Sequence, residues 1–282
     1  MLESLQYRWQ RVLNLLTLKR FHSIPFDLRS DSDNGRYVAT VRRAVSKDTA
    51  FKKFKRDPAY TEILEHVGKD LGLEYLAHII ERDNLTCSDI QSFRVNDLIG
   101  APFIHQFTHG AFRVDCSGTT LRYCSVLSDL LHFFDLRDVR HVIELGVGYG
   151  GQAFLYTLHN PSVSYTLVDL PEVLELSRKY LNCHSHLIRA KVEFKSILEF
   201  GPETESDLFI SNYAFCELPR PLQDRVIEKV MKGSKRGYLI MGGHSVGRVT
   251  KADLLEINPT AVILPEVPST GRANYIVAWG CK

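Results

Sequence analysis

The sequence has no run of the roughly 18 consecutive apolar residues that a membrane helix needs. Near its start, Arg8 and Arg11 break up any apolar stretch of the kind an export signal carries. Neither a membrane-spanning nor a secreted chain is therefore expected. There is no C-x-x-C pair. The 6 cysteines (Cys87, Cys116, Cys124, Cys183, Cys216 and Cys281) are scattered, which fits reduced thiols in the cytoplasm better than a disulfide framework. Net charge is small: 35 basic residues against 33 acidic ones leave +2. Nothing in that balance asks for nucleic acid or a membrane surface as a partner. Internal repeats and low-complexity tracts are missing as well. What remains is 282 residues, 44% hydrophobic and 24% charged, enough for one large domain or two smaller ones.

The texture changes near residue 136. Residues 1–136 read as a mainly helical region that would close over an acceptor. Leu5, Trp9, Val12, Leu13 and Leu16 fall on one helical face, as do Tyr60, Ile63, Leu64 and Val67. Thr119 to Phe134 forms a third apolar-striped helix, and His105, Gln106, Phe107 and His109 read as a solvated loop. From residue 137 to 282, short apolar runs alternate with amphipathic segments. Strands are expected at 141–145, 164–168, 191–195, 207–211, 238–241, 261–264 and 274–279. Helices are expected at 151–158, 171–181, 221–231 and 250–257. Such alternation implies an α/β protein with a doubly wound, Rossmann-like parallel sheet. Only a loop joins the last two strands, too short for a crossover helix, so those two should pair antiparallel.

The strongest motif is Glu144-Leu-Gly146-Val-Gly148-Tyr-Gly150-Gly151, which leaves a strand and enters a helix. Glycines there let the chain turn sharply and let a ligand approach, and the helix start offers free N–H groups. Gly146, Gly148 and Gly151 satisfy the dinucleotide fingerprint, and Asp169, 18 residues beyond Gly151, ends the next strand where a carboxylate can hold ribose hydroxyls. S-adenosylmethionine needs the same clamp, with methionine's ammonium and carboxylate in place of the pyrophosphate. Glu144 discriminates. A buried carboxylate is costly unless paired, suits an ammonium and repels a pyrophosphate. S-adenosylmethionine is therefore preferred over a nicotinamide cofactor.

Ile143 to Gln152 and Val168-Asp-Leu-Pro-Glu-Val173 resemble class I methyltransferases. With Ser211 to Leu218, Thr120-Leu-Arg-Tyr123, Phe54 to Tyr60, Glu65-His66 and Asn274 to Gly280, the chain is most similar to bacterial sugar O-methyltransferases over residues 50–280. The resemblance implies a sheet whose last strand is reversed. It implies a cofactor site built from Glu144, Gly146, Gly148, Gly150, Gly151, Asp169, Leu170, Asn212 and Tyr213. Many class I enzymes bind adenine with an Asp after the third strand. Lys195-Ser196-Ile197 stands there instead, so Ser196 or backbone atoms should take that role.

The transferring methyl should lie beyond the carboxyl ends of the fourth and fifth strands. An aliphatic hydroxyl stays protonated at neutral pH, so a general base helps, with His244 the first candidate and Glu217 the second. Arg122 and Tyr123 can reach the methionine carboxylate, or a carboxylate or phosphate of the substrate. Asn212-Tyr213-Ala214 lacks the two prolines of exocyclic-amine methyltransferases. Asp207 opens its strand rather than closing it, so no metal site is expected. Cys183-His184-Ser185-His186 reads as a surface helix end. The basic run Arg42, Arg43, Lys47, Lys52, Lys53, Lys55 and Arg56 reads as a solvated face or as a contact for phosphates. The expectation is methyl transfer to a hydroxyl of a sugar or glycosylated small molecule. The rivals are a phenolic or natural-product O-methyltransferase, a nicotinamide oxidoreductase and a non-catalytic binding subunit.

Overall fold

The computed structural model describes residues 35–198, 205–243 and 247–282. The amphipathic stretch from Leu5 to Leu16 and the candidate base His244 lie outside the described residues. Helix α1 (Arg36–Ser46) comes first, followed by α2 (Lys69–Arg82) and α3 (Cys87–Phe93). Strands β1 (His105–His109) and β2 (Phe112–Cys116) pair antiparallel. Helix α4 (Gly118–Phe133) begins at Ser117, whose hydroxyl accepts from the Thr120 N–H and so satisfies one of the free donors of the first turn.

Beyond α4 come β3 (His141–Leu145), α5 (Gly151–His159), β4 (Ser164–Asp169), α6 (Pro171–Cys183), β5 (Lys191–Ser196) and β6 (Leu208–Asn212). They are followed by α7 (Arg220–Lys229), β7 (Gly237–Met241), α8 (Lys251–Ile257), β8 (Val262–Pro265) and β9 (Tyr275–Trp279). The sheet order is β5-β4-β3-β6-β7-β9-β8. β3 through β7 run parallel, and β9 runs antiparallel to both β7 and β8. This is the expected doubly wound sheet with its last strand reversed.

Side chains alternate across each strand, so the sheet has two apolar faces. Tyr238 and Ile240 of β7, with Ile276 and Ala278 of β9, belong to a core that continues through Leu127, Leu76, Tyr60 and Val41. Leu239, Met241, Tyr275 and Val277 face a second core shared with Val226, Ile227 and Leu254. Each fully buried aliphatic or aromatic side chain contributes about 1.5–3 kcal/mol. The first core runs without a break from the helical region into the sheet. A buried polar knot reinforces that junction. Asp129 of α4 accepts from Tyr238 Oη at 2.8 Å and Arg82 Nε at 3.1 Å, and lies 2.9 Å from His78 Nε2.

Several expectations need correction. The helix through Tyr60, Ile63, Leu64 and Val67 stops after one turn, Pro58–Thr61. The Leu64 carbonyl instead accepts from Arg122 and Thr119, a use a continuing helix would forbid. His105 to His109 form β1 of a hairpin, with Phe107 buried against Gly72. His184 is no surface residue. It is buried and stacks on Phe154 at 4.3 Å, and burial pushes its imidazole down to about 4. The basic run is not one solvated face either. Lys55 is buried, donates to the Asn96 carbonyl at 2.9 Å and lies 4.1 Å over the Tyr149 ring. Arg42 and Arg43 pair with Glu172 and Asp57.

Candidate active site

In a doubly wound sheet, neighbouring strands whose chains depart in opposite directions leave a crevice beyond their carboxyl ends. Here that point lies between β3 and β6. A cavity of about 620 Å³ opens there, lined by residues that follow β3, β4, β6 and β7.

The glycine loop forms one wall. Gly146 and Gly148 have φ of 79° and 54°, left-handed values that favour glycine. A Cβ on Gly146 would fall 1.9 Å from the Ala214 methyl, so β3 and the turn after β6 close on each other only because that Cβ is missing. Asp169 locks the loop. Its Oδ2 accepts from the N–H groups of Val147 at 2.7 Å and Gly148 at 3.4 Å, and its Oδ1 from Leu170 at 2.7 Å. Burial still pushes the Asp169 carboxyl up to about 6. Three accepted bonds leave lone pairs free for ribose hydroxyls.

Glu144 stands beside it on β3, 2% exposed. Its one hydrogen-bond donor is Tyr165 Oη, at 2.9 Å from Oε2. Burial pushes the carboxyl up to about 8, which favours its neutral form at pH 7. A cation brought beside it would return it to the ionised form.

After β6, Asn212 points a buried Oδ1 that has no hydrogen-bond partner among the described residues. Such an orphan costs stability unless a donor meets it, and it lines the cavity. Tyr213 takes φ 67°, an uncommon conformation for a side chain of its size. Its hydroxyl donates to Glu266 and lies 3.1 Å from Thr270 Oγ1. Glu266 also accepts from the Thr270 N–H at 2.8 Å and Asn274 Nδ2 at 3.0 Å. Glu217 ends the turn Ala214–Glu217 and lines the same cavity, as do Gly242 and Gly243 after β7.

Of the candidates named from sequence, Glu144, Gly146, Gly148, Asp169, Leu170, Asn212, Tyr213, Glu217, Arg122 and Tyr123 come together around this cavity. Gly150, Gly151 and Ser196 do not line it. Gly150 packs by Ser177, Gly151 lies against the Tyr123 and Tyr149 rings, and Ser196 Oγ accepts from the Leu198 N–H. Sequence reasoning missed Tyr37, His66, Thr270, Asn274 and Glu266. The signal for the last three was a polar cluster in the loop between the closing strands. His66 lines the cavity, and burial followed by the Arg122 charge lowers its imidazole pKa. Among the described residues no group of three His, Cys, Asp or Glu side chains is placed to hold a metal, and no helix is long and apolar enough to cross a membrane.

No family model matches the chain. A curated relative is the tRNA1(Val) (adenine(37)-N6)-methyltransferase of Flavobacteriaceae bacterium (strain 3519-10). It is 33% identical over 87 residues, which is 29% of this chain. The match spans 36% of that relative's length. Among solved structures, the N-terminal domain of EvdMO1 with SAH bound is 13% identical with a TM-score of 0.43, covering 70% of this chain and 98% of that one. The mitomycin 7-O-methyltransferase MmcR is 16% identical with a TM-score of 0.38, covering 57% and 56%. The pyocyanin biosynthetic protein PhzM is 14% identical with a TM-score of 0.38, covering 57% and 58%.

Proposed function

We propose that the chain is an S-adenosylmethionine-dependent O-methyltransferase whose acceptor is a hydroxyl of a sugar or glycosylated small molecule. The observation that carries the reading is Glu144, a carboxyl buried to a pKa of about 8 at the end of β3, next to Asp169 and the glycine loop. A pyrophosphate would hold that carboxyl protonated and gain no ion pair, whereas the cofactor's ammonium would ionise it and pair with it. Asp169 holds the ribose, and the unpaired Oδ1 of Asn212 takes a further donor.

The cofactor supplies a methyl on a positively charged sulfur, open to in-line attack. The protein aligns the acceptor oxygen with it and excludes water, which lowers the barrier by several kcal/mol. It also removes the hydroxyl proton. His244, just after Gly242-Gly243, is the base we assign first, and Glu217 the second. His66, held neutral beside the cavity, is a third acceptor of that proton. The mainly helical region up to residue 136 supplies the acceptor wall through Tyr37, His66, Arg122 and Tyr123.

Amine methylation, the activity in the name of the tRNA-modifying relative, is disfavoured because Asn212-Tyr213-Ala214 lacks both prolines of that motif. The test is incubation with methyl-labelled S-adenosylmethionine and a panel of nucleotide-sugars, glycans, phenols and tRNA. Label and a mass gain of one methyl on a sugar hydroxyl are expected. Label on tRNA alone would overturn the acceptor class, and tight NAD binding without S-adenosylhomocysteine binding would overturn the cofactor.

A further inference from the structure

Arg122 sits in the second turn of α4, is 7% exposed and lines the large cavity. Its Nη2 donates to the Leu64 carbonyl at 3.0 Å, and its guanidinium lies 5.5 Å from the Tyr123 ring centre. Among the described residues it has no other hydrogen bond and no ion-pair partner. A guanidinium carries five donors, so a buried one with a single bond leaves both charge and donors unmatched. Two arginines of α1, outside the cavity lining, differ. Arg42 and Arg43 are half exposed, and each reaches a carboxylate. A buried cation without a partner costs several kcal/mol, and an apolar side chain would fill the same volume more cheaply. Such a group is retained when a ligand brings the missing anion.

The position says which ligand. The ionisable groups that act on Arg122 are Tyr123, Tyr75, Tyr213 and Glu65. Tyr213 follows β6, and its hydroxyl is tied to Glu266 and Thr270 of the connection between β8 and β9. The cofactor's ammonium and carboxylate share one carbon, so an ammonium on Glu144 keeps the carboxylate near Glu144 as well. Glu65 is a weak countercharge, because burial pushes its carboxyl toward the neutral form.

We propose that Arg122 is an oxyanion site in the acceptor half of the cavity, and that the methyl acceptor is an acidic sugar, carrying a carboxylate or a phosphate that docks on this guanidinium. The assignment rests on the methyl-transfer reading and narrows its substrate to anionic sugars. His66 lines the same cavity and offers a further hydrogen bond to an oxyanion.

The test uses the full chain, with and without saturating S-adenosylhomocysteine, titrated by calorimetry with glucuronate, glucose 1-phosphate and neutral methyl glucoside. Glucuronate separates a carboxylate source from the phosphate of glucose 1-phosphate. At least one anionic probe should bind and methyl glucoside should not. Arg122→Gln should weaken that binding roughly 10- to 100-fold, the loss expected when charge-assisted bonds disappear. Arg122→Lys, which keeps the charge but not the fork, should recover part of it. Affinity for S-adenosylhomocysteine should stay within about twofold in both variants, which also shows that they fold.

Equal binding of neutral and anionic probes, or no anionic binding at all, overturns the proposal. So does a variant that loses S-adenosylhomocysteine but keeps 5′-methylthioadenosine, which lacks the amino-acid carboxylate; Arg122 would then hold the cofactor. Loss of S-adenosylhomocysteine binding in the unaltered protein counts instead against methyl transfer. The sugar titrations on the unloaded protein still decide the anion site in that case.

Discussion

Glu144→Gln separates the cost of a buried carboxyl from its use. Burial pushes the Glu144 pKa from 4.5 to about 8, against an opposing bond from Tyr165. Between those two values the folded chain binds a proton that the unfolded chain has released. Stability therefore falls as pH rises across this window, and the loss is complete above about pH 8. At pH 7 the carboxyl withholds roughly 3 kcal/mol that it would leave intact at pH 4. Glutamine keeps the shape, can still accept from Tyr165 and does not titrate. Urea unfolding of both proteins from pH 5 to 8 should show the variant gaining on the parent with rising pH, by roughly 3 kcal/mol at pH 7. The difference between the two curves isolates this residue from every other titrating group. Binding should move the opposite way. The cofactor's ammonium ionises Glu144, so S-adenosylhomocysteine should release close to one proton at pH 7, read as a dependence of binding enthalpy on buffer ionisation heat. Glu144→Gln should bind far more weakly and release none from this position. A stability difference that stays flat with pH, or equal proton release by both proteins, would refute the reasoning.

Asp169→Ala removes the carboxylate that spans Val147, Gly148 and the ribose site, so S-adenosylhomocysteine affinity should fall by about 1.5–3 kcal/mol per lost bond; an unchanged dissociation constant places the ribose elsewhere. Gly146→Ala puts a methyl against Ala214 at a left-handed position and should cost roughly 2–5 kcal/mol in urea unfolding, and a neutral result would contradict the close approach of β3 to the turn after β6. His244→Ala should cut turnover by roughly 10²–10⁴ with cofactor affinity nearly intact, and a full-speed variant would move the base to Glu217 or His66. Methyl transfer should proceed in excess chelator; loss of activity restored by magnesium would reveal carboxylate ligands brought together from distant segments.

The sheet was legible because each of its signals is local. A strand buried on both faces reads as a mostly apolar run, and β3, β4, β6 and β7 fall within a residue or so of their expected bounds. The antiparallel pairing of β8 with β9 followed from one fact, a connection too short for a crossover helix. The helical region was read less well because tertiary contacts outweigh periodicity there. Leu64 gives its carbonyl to Arg122 and Thr119 instead of to the next turn, which ends a helix whose apolar spacing would have allowed it to continue. β1 was missed because its polar residues alternate about a single buried position, Phe107, too short a pattern to stand out from a loop.

The site divides along the same line. The wall proposed for the cofactor is built from one strand, one loop and the end of the next strand, so spacing alone could group Glu144, Gly146, Gly148 and Asp169. The wall proposed for the acceptor is assembled from distant segments, and no spacing rule links Tyr37, His66, Arg122, Tyr213 and Thr270. Glu266 shows why. In sequence it is one acidic residue in a connecting loop, indistinguishable from a solvated charge. In the fold it is 6% exposed and gathers the Tyr213 hydroxyl, the Thr270 N–H and the Asn274 amide. Its carboxylate accepts the hydrogen bond that the Tyr213 hydroxyl donates, which leaves the phenol oxygen's lone pairs to receive a hydrogen bond. A left-handed Tyr213 is strained and needs such an anchor to persist. Glu266→Gln should thus loosen Tyr213, raising the acceptor's KM more than it lowers kcat, with S-adenosylhomocysteine affinity unchanged. A fall in kcat alone would mean that the pair moves the proton rather than positioning the acceptor.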